Sequence, residues 1–452
     1  MDVFGSSGVR GTALDELTPG FVLELAQAAG NVFSTDHGRV AVGRDTRETG
    51  GVFADAVSSG LASVGCDVDQ VGVVSTPALQ AYCEQRGVPG VMVTASHNPP
   101  EFNGIKLCGA DGVELTSDSL ERIEKRFHEG ISSVDWDEVG KTRQVEGANR
   151  LYREQLIDAV DHERIAEANL TVALDPGHGA GALTSPAFFR DLGCEVLTIN
   201  AQPDGRFPGR NPEPVKDHLG DLETLVSATG ADLGIAHDGD GDRAMFVDET
   251  GTLVDGDAVL AALAATQLEE GDTVVSAVNC SQRLVDVVEQ AGATLHLTPI
   301  GSTHIITAIR ERQDRGERVP VAGEGNGGII FPDYRIARDG AYTAARLCEL
   351  LTDRSVSEVV SEYGGYHQFR ENITYEDESE RTELIERIER AARAADVEAD
   401  TIDGYRLDYG DAWVLARPSG TEPMIRVYAE ARERTRAEEL LGEMVNAIEN
   451  PS

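Results

Sequence analysis

The run Thr94-Ala95-Ser96-His97-Asn98-Pro99-Pro100 sets a hydroxyl, an imidazole and a carboxamide side by side where an apolar stretch, GVMV, breaks off. An uncharged serine hydroxyl is a weak nucleophile. Phosphorylated, Ser96 would carry a transferable phosphoryl group and present oxygens to a divalent cation. His97 and Asn98 can hydrogen-bond around that centre, and Lys106, one of four lysines in the chain, can reach it as a charge or a proton shuttle. The same residues also suit an Asx-type turn stiffened by Pro99-Pro100.

A second polar run, DGDGDR, alternates Asp238, Asp240 and Asp242 with glycines and ends in Arg243. Alternate carboxylates can converge on a hard cation, and the intervening glycines permit a tight backbone. An EF-hand has the same D-x-D-x-D start, and Glu249 falls at its twelfth position. Arg243, however, stands where that loop requires glycine, and the segment before it reads as a strand. Mg²⁺ suits the run better, because three carboxylates leave coordination positions open for water and a phosphate oxygen. A solvated acidic turn remains the bland alternative. Arg243 fits the Mg²⁺ reading, since a guanidinium matches a phosphate oxygen.

Two further loops fit a sugar phosphate. In RPSGTEP, Arg417 offers a planar fork, Ser419 and Thr421 offer hydroxyls, and the backbone around Gly420 offers free N–H groups, a set suited to a phosphate dianion or to a plain surface turn. In GEGNGG, Glu324 and Asn326 stand among four glycines, where a carboxylate and an amide can hydrogen-bond vicinal sugar hydroxyls.

The elements that must position these loops repeat. Strand, small-residue helix and strand recur in GRVAVGRDTRETGGVFADAVSSGLASVGCDVDQVGVV, LTVALDPGHGAGALTSPAFFRDLGCEVLTIN and DTVVSAVNCSQRLVDVVEQAGATLHLTPIG. After each unit another apolar strand runs into one of the polar loops, and extended segments follow, with hairpins expected in IKLCGADGVEL and AMFVDETGTLV. Three related α/β domains with mixed sheets are expected, each showing a polar loop at a strand's carboxyl end, where open α/β sheets bind ligands. The final segment, with amphipathic helices flanking DAWVLARPSG and MIRVYAEA, reads as a smaller α+β domain. The expected domains are 1–150, 151–250, 251–366 and 367–452.

Composition narrows the function. The 452 residues carry a formal charge of −40, with acids spread along the whole chain, a balance that repels nucleic acid and anionic lipid. Such acidity with so little lysine is expected of a protein adapted to a salt-rich cytoplasm, where screening suppresses self-repulsion. No apolar run reaches the ~18 residues of a membrane span, and the N-terminus lacks the features of a secretory signal, so no membrane association is expected and the cytoplasm is the default. Six cysteines without C-x-x-C spacing read as small buried hydrophobes.

TASHNPP, DGDGDR, GEGNGG and RPSGTEP in this order, with FGSSGVRG at the start, resemble the α-D-phosphohexomutase superfamily over essentially the whole chain. The resemblance implies four domains around a central cleft and transfer of a phosphoryl group between O1 and O6 of a hexose. It implies a phosphorylated Ser96, Mg²⁺ held by Asp238, Asp240, Asp242 and the phosphoserine, and a 1,6-bisphosphosugar intermediate that also serves as activator. Arg10, His97, Lys106 and Arg243 match active-site positions, with Lys106 as general base. Glu324 and Asn326 match the sugar-hydroxyl readers, and Arg417, Ser419, Gly420 and Thr421 the binder of the idle phosphate. GEGNGG and FPGRNPEP look like the archaeal versions of the sugar and phosphate loops, a branch holding both phosphoglucosamine mutases and phosphomannomutase/phosphoglucomutases. Two departures stand out: many relatives have histidine where Gly328 stands, and TPIGSTHII puts Ser302 and His304 where T-x-x-G-D or T-G-H is common. A monomer or homodimer is expected. A Mg²⁺-dependent sugar phosphatase and a non-catalytic phosphosugar-binding paralogue are the competing readings.

Overall fold

The computed structural model describes residues 4–5, 8–34, 37–419 and 423–450. The apolar runs Val40-Ala41-Val42, Val172-Ala173-Leu174 and Val274-Val275 lie in interior strands of the first three sheets and are fully buried, as expected of strands covered on both faces. The first sheet contains β1 (Val9–Thr12), β2 (Arg39–Arg44), β3 (Asp67–Val73), β4 (Gly90–Val93), β5 (Phe102–Cys108) and β6 (Thr142–Gln144), in the order β1-β5-β4-β2-β3-β6. β2, β3, β4 and β6 are parallel, and β5 returns antiparallel between β4 and β1.

The second sheet repeats this plan with β7 (Thr171–Asp175), β8 (Glu195–Thr198), β9 (Leu233–His237) and β10 (Ala244–Val247), in the order β10-β9-β7-β8. So does the third, with β11 (Thr273–Ala277), β12 (Thr294–Thr298), β13 (Ala322–Gly323), β14 (Ile329–Phe331) and β15 (Arg335–Arg338), in the order β12-β11-β13-β14-β15. In each sheet a parallel strand (β4, β9 or β13) ends in a polar loop, and the next strand (β5, β10 or β14) pairs back antiparallel with it. The chain must reverse at the same place three times, and the three loops are those reversals. The two expected hairpins also form, closed by the pairs Cys108 with Glu114 and Val247 with Leu253.

The C-terminal segment is fully antiparallel: β16 (His367–Thr374), β17 (Ala399–Asp400), β18 (Tyr405–Asp408), β19 (Ala412–Pro418) and β20 (Met424–Ala431), in the order β16-β20-β19-β18-β17. The amphipathic helices Glu378–Ala394 and Arg434–Glu449 bury Leu384, Ile388, Leu440 and Ile448 in its core. The architecture is thus three α/β domains with mixed sheets and a smaller C-terminal α+β domain, as the residue pattern predicts.

One continuous apolar core joins the first three sheets, drawing on Met92 and Cys108, Val172 and Phe246, and Val274 and Phe331. The C-terminal domain has its own core and meets the third sheet through the fully buried Trp413, packed with Val278 and Leu415. Polar anchors reinforce that seam. Arg406 stacks on Trp413, 4.3 Å from the ring centroid, and donates to the carbonyls of Val278 (2.7 Å) and Cys280 (3.2 Å). Buried Glu430 accepts from Gln282 N (2.7 Å) and Trp413 Nε1 (3.2 Å). All six cysteines are buried and free, as the sequence predicts.

Candidate active site

Ser96 sits beyond β4 in the left-handed region, at φ 53°, a conformation that costs a non-glycine residue about 1–3 kcal/mol unless its surroundings enforce it. They do. Its N–H donates to Thr94 Oγ1 (2.9 Å), and Thr94 in turn donates to buried Asp45 Oδ2 (2.6 Å). Arg47, fully buried, pairs with Asp45 (3.1 Å) and donates to the carbonyls of Ser96 (3.0 Å), Asn98 (2.6 Å), Pro99 (2.6 Å) and Phe102 (3.0 Å). The loop is therefore wound around a guanidinium. Asn98 turns its carboxamide oxygen to Arg10 Nη1 (3.0 Å), so its side chain reaches across the loop to the first strand.

The DGDGDR loop leaves β9 directly opposite. Ser96 Oγ donates to Asp238 Oδ2 at 2.8 Å. Gly239 makes the approach possible, since a Cβ there would lie 2.6 Å from the Ser96 carbonyl oxygen. Asp238, Asp240 and Asp242 are all fully buried, which excludes a solvated acidic turn. Glu249 accepts from the backbone N–H of Ser357 (3.2 Å) and from its hydroxyl, which removes it from any EF-hand arrangement. Beneath the loop, Arg210 of FPGRNPEP pairs with Asp175 (2.7 Å) and donates to the His237 carbonyl (2.6 Å), so this arginine anchors backbone.

Four cations ring the three carboxylates. Lys106, on β5, donates to Asp240 Oδ2 (2.8 Å) and Asp242 Oδ2 (3.0 Å). Arg338, at the end of β15, donates to Asp242 Oδ2 (2.7 Å). Arg243 Nε lies 3.9 Å from both Asp238 and Asp242. Arg10 is close enough to feel Arg243, Asp240 and Asp242, and burial followed by the Arg243 charge lowers its pKa to about 10. Burial pulls the Lys106 ammonium down, but Asp240 and Asp242 outweigh it and hold it above its ordinary value. Thr76, which opens the helix Thr76–Arg86, binds Asp240 twice: its N–H to the carbonyl (2.9 Å) and its hydroxyl to Oδ2 (2.6 Å). That helix starts here because Ser75 caps it and Pro77 occupies its first turn.

A divalent cation fits this arrangement. One ligand oxygen from each aspartate can be chosen so that all three lie within 4.8 Å of one another. Asp240 Oδ1 and Asp242 Oδ1 are buried with no hydrogen-bond partner. Asp238 is pushed well above the carboxylate range, first by burial and then by Asp240 and Asp242. Buried carboxylates left with orphan oxygens are costly, and a hard cation on all three is the compensation that their geometry allows.

The other expected site residues are distributed as follows. His97 is half-buried, its Nδ1 is buried without a hydrogen-bond partner, and burial, then Arg243 and Arg10, hold its imidazole far below the ordinary value. Glu324 is buried and lies within electrostatic reach of Arg338, whereas Asn326 is exposed and accepts from Gly328 N (3.0 Å) in its own loop. Arg417 is buried at the end of β19 and pairs with Asp403 (3.0 Å), and Ser419 is buried beside it. Gly420 and Thr421 lie outside the described residues. His304 is half-buried in the first turn of the helix Ser302–Asp314, and Ser302 Oγ donates to Glu114 (3.0 Å) on the hairpin after β5.

Sequence reasoning did not single out Arg338, Thr76, Arg47, Asp45 or Glu114. Thr76 had a usable signal in the helix start STP, but Arg338 had none, being 96 residues from Asp242.

A buried serine facing three carboxylates and a ring of cations combines the groups that phosphoryl chemistry requires, and it is carried on a four-domain α/β frame. The chain belongs to the phosphoglucomutase/phosphomannomutase family, within the α-D-phosphohexomutase superfamily: models of its alpha/beta/alpha domains I, II and III match residues 1–133, 150–251 and 255–366, and that of its C-terminal domain matches 372–447. It is 39% identical over 449 residues to a phosphoglucomutase/phosphomannomutase of Thermococcus kodakarensis, covering 97% of this chain and 96% of that protein. It is 41% identical over 450 residues to a probable phosphoglucosamine mutase of Methanopyrus kandleri, covering 98% and 97%. Among solved structures, a phosphoglucomutase/phosphomannomutase family protein of Burkholderia thailandensis superposes with a TM-score of 0.84 at 26% identity, covering 100% of this chain and 98% of that one. Membership makes the chain an isomerase-class phosphotransferase.

Proposed function

We propose that this chain interconverts the 1- and 6-phosphates of a hexose, with glucose, mannose and glucosamine as the candidate sugars, using Ser96 as phosphoryl carrier. The observation that carries the reading is the convergence on one buried centre of the hydroxyl of Ser96, held on a left-handed backbone, the triple-aspartate loop, and Lys106, Arg243 and Arg10. Phosphoryl transfer needs in-line positioning and neutralisation of charge more than covalent novelty, and the cations of this centre support the second.

In this reading phosphorylated Ser96 donates its phosphoryl group to the free hydroxyl of a hexose monophosphate. The bisphosphosugar then turns end for end and returns its other phosphoryl group to Ser96, so a hexose 1,6-bisphosphate also serves as activator. Mg²⁺, held by Asp238, Asp240, Asp242 and the phosphoserine, would neutralise charge on the transferring group. Arg10 and Arg243 bind phosphoryl oxygens. Lys106 is held protonated by Asp240 and Asp242, so its part as general base requires release from those carboxylates. His97 hydrogen-bonds near the transferring group. Glu324 and Asn326 read sugar hydroxyls, and Arg417, Ser419, Gly420 and Thr421 hold the idle phosphate on a domain that opens between the two half-reactions.

The test is an assay of glucose, mannose and glucosamine 1-phosphates with Mg²⁺ and catalytic bisphosphate. Isomer formation on at least one sugar, lost in Ser96→Ala, is expected. Inactivity on all three rejects the mutase, release of inorganic phosphate without isomer formation points to a sugar phosphatase, and tight binding with no phosphate on Ser96 in intact-mass spectra points to a non-catalytic binder.

A further inference from the structure

Arg338 is the last residue of β15, immediately before the helix Gly340–Cys348 that Asp339 caps. It is buried, and its guanidinium leaves the third domain to reach the metal loop of the second, with Nη2 2.7 Å from Asp242 Oδ2 and 3.7 Å from Glu114 of the first. The same Asp242 oxygen accepts from Lys106 (3.0 Å). On Asp240, Oδ2 is likewise taken, by Lys106 (2.8 Å) and Thr76 (2.6 Å). Each of these carboxylates thus has one oxygen engaged by donors from other strands and helices and one, Oδ1, buried without a hydrogen-bond partner, that of Asp242 facing Arg243 Nε at 3.9 Å.

A carboxylate in that state can offer an ion a single oxygen. Mg²⁺ accepts this readily, taking six ligands in a tight octahedron at about 2.0–2.1 Å, whereas Ca²⁺ takes 6–8 oxygens at about 2.3–2.6 Å and often uses carboxylates in bidentate fashion. Gly328 belongs to the same device. A Cβ at Gly328 would lie 2.8 Å from Arg338 Cδ and 3.0 Å from Asn326 Oδ1, so the aliphatic stem of Arg338 passes through the space that a side chain at 328 would fill.

We propose that Arg338, admitted by Gly328, is a positioning residue that restricts Asp242 to one-oxygen coordination and so sets the ion preference of the site in favour of Mg²⁺ over Ca²⁺. The inference rests on the divalent site of the proposed function. It explains why the GEGNGG loop of this chain carries no side chain at 328: the space is already in use.

The test uses the full-length protein, stripped of metal, titrated calorimetrically with Mg²⁺ and with Ca²⁺. Loss of a neighbouring positive charge raises affinity for both ions alike, so the ratio of the two constants carries the test. Changes to groups that orient metal ligands commonly alter metal affinity about 10–100-fold, and the Mg²⁺ over Ca²⁺ preference is expected to fall about tenfold in R338M and to recover at least in part in R338K. G328A, which must displace the arginine stem, should reproduce part of the fall alone and add nothing in the R338M background. A ratio equal to wild type in folded R338M, or a G328A effect of the same size with and without Arg338, overturns the proposal. Should R338M fail to fold, G328A decides alone: a Mg²⁺ over Ca²⁺ ratio equal to wild type in folded G328A overturns the proposal. A protein that binds neither ion in wild-type form refutes the metal site itself, and this inference with it; a change in melting temperature without a change in ratio reduces Arg338 to a structural role.

Discussion

Replacing Arg47 with methionine should unfasten the Ser96 loop, and the size of the effect follows from what the guanidinium holds. Its side chain and that of Asp45 are both 0% exposed, so their ion pair has no access to solvent. Removing one partner of a buried pair costs about 3–5 kcal/mol. The carbonyls of Ser96, Asn98, Pro99 and Phe102 lose a charged donor as well. These losses are not additive, because the loop relaxes and Asp45 can take up a proton: burial already pushes its carboxyl upward, against Arg47 and Thr94. The expected loss is therefore about 5 kcal/mol, a large share of the roughly 5–15 kcal/mol that stabilises a folded domain.

Urea unfolding of R47M, R47K and D45N/R47M measures it. R47K should lose about half as much, and the double variant should recover about 1–3 kcal/mol through the coupling of neighbours. With a net charge of −40 the whole protein should gain stability with added salt, but the R47M difference should not change, since the pair is buried. Turnover should fall about 100-fold or more, because a displacement of about 1 Å in a reacting group costs that much. An R47M protein within about 1 kcal/mol of wild type, turning over at the wild-type rate, would refute the claim that this arginine shapes the loop.

Gly239→Ala places a methyl group 2.6 Å from the Ser96 carbonyl oxygen, a contact with backbone that only a parting of the two loops can relieve. Steady-state kinetics should show kcat reduced about 100-fold with KM for the sugar phosphate little changed; a raised KM at unchanged kcat would contradict this. Asp257, at the start of the helix Gly256–Ala265, is pushed up to about 8 from 3.8 by burial, then by Asp255 and Glu430, against Arg283. The protonated carboxyl thus contributes stability that is whole below pH 3.8 and is lost as pH rises through about 8. The stability difference between wild type and Asp257→Asn, followed by thermal melts from pH 5 to 9, should accordingly move against wild type as pH rises, and a pH-independent difference would disprove the assignment.

The three-fold recurrence of strand, helix and strand is visible in sequence because each unit pairs strands after one helix, within a stretch where apolar periodicity is a local signal. The hairpins after β5 and β10 were legible for the same reason, each carrying a glycine at positive φ, Gly112 and Gly251. β16 and β17 of the last domain were not. The residues of β16 are mostly exposed, so no apolar alternation marks it, and β17 has two residues. Edge strands such as these are defined by the neighbour they pair with.

The site divides in the same way. Residue types alone specify a hydroxyl, three carboxylates spaced by glycine, and a guanidinium beside hydroxyls, because each of these groups sits within six or seven consecutive residues. Which oxygen of Asp242 is taken and which is left without a hydrogen-bond partner depends on Lys106 of the first domain and Arg338 of the third, side chains 136 and 96 residues away. That Gly328 is a passage for an arginine stem is likewise a fact of packed volume. Sequence determines the reactive groups, since they are properties of single residues; only the tertiary structure decides their charge state, orientation and free valence, since those arise from burial and from neighbours that chain order does not bring together.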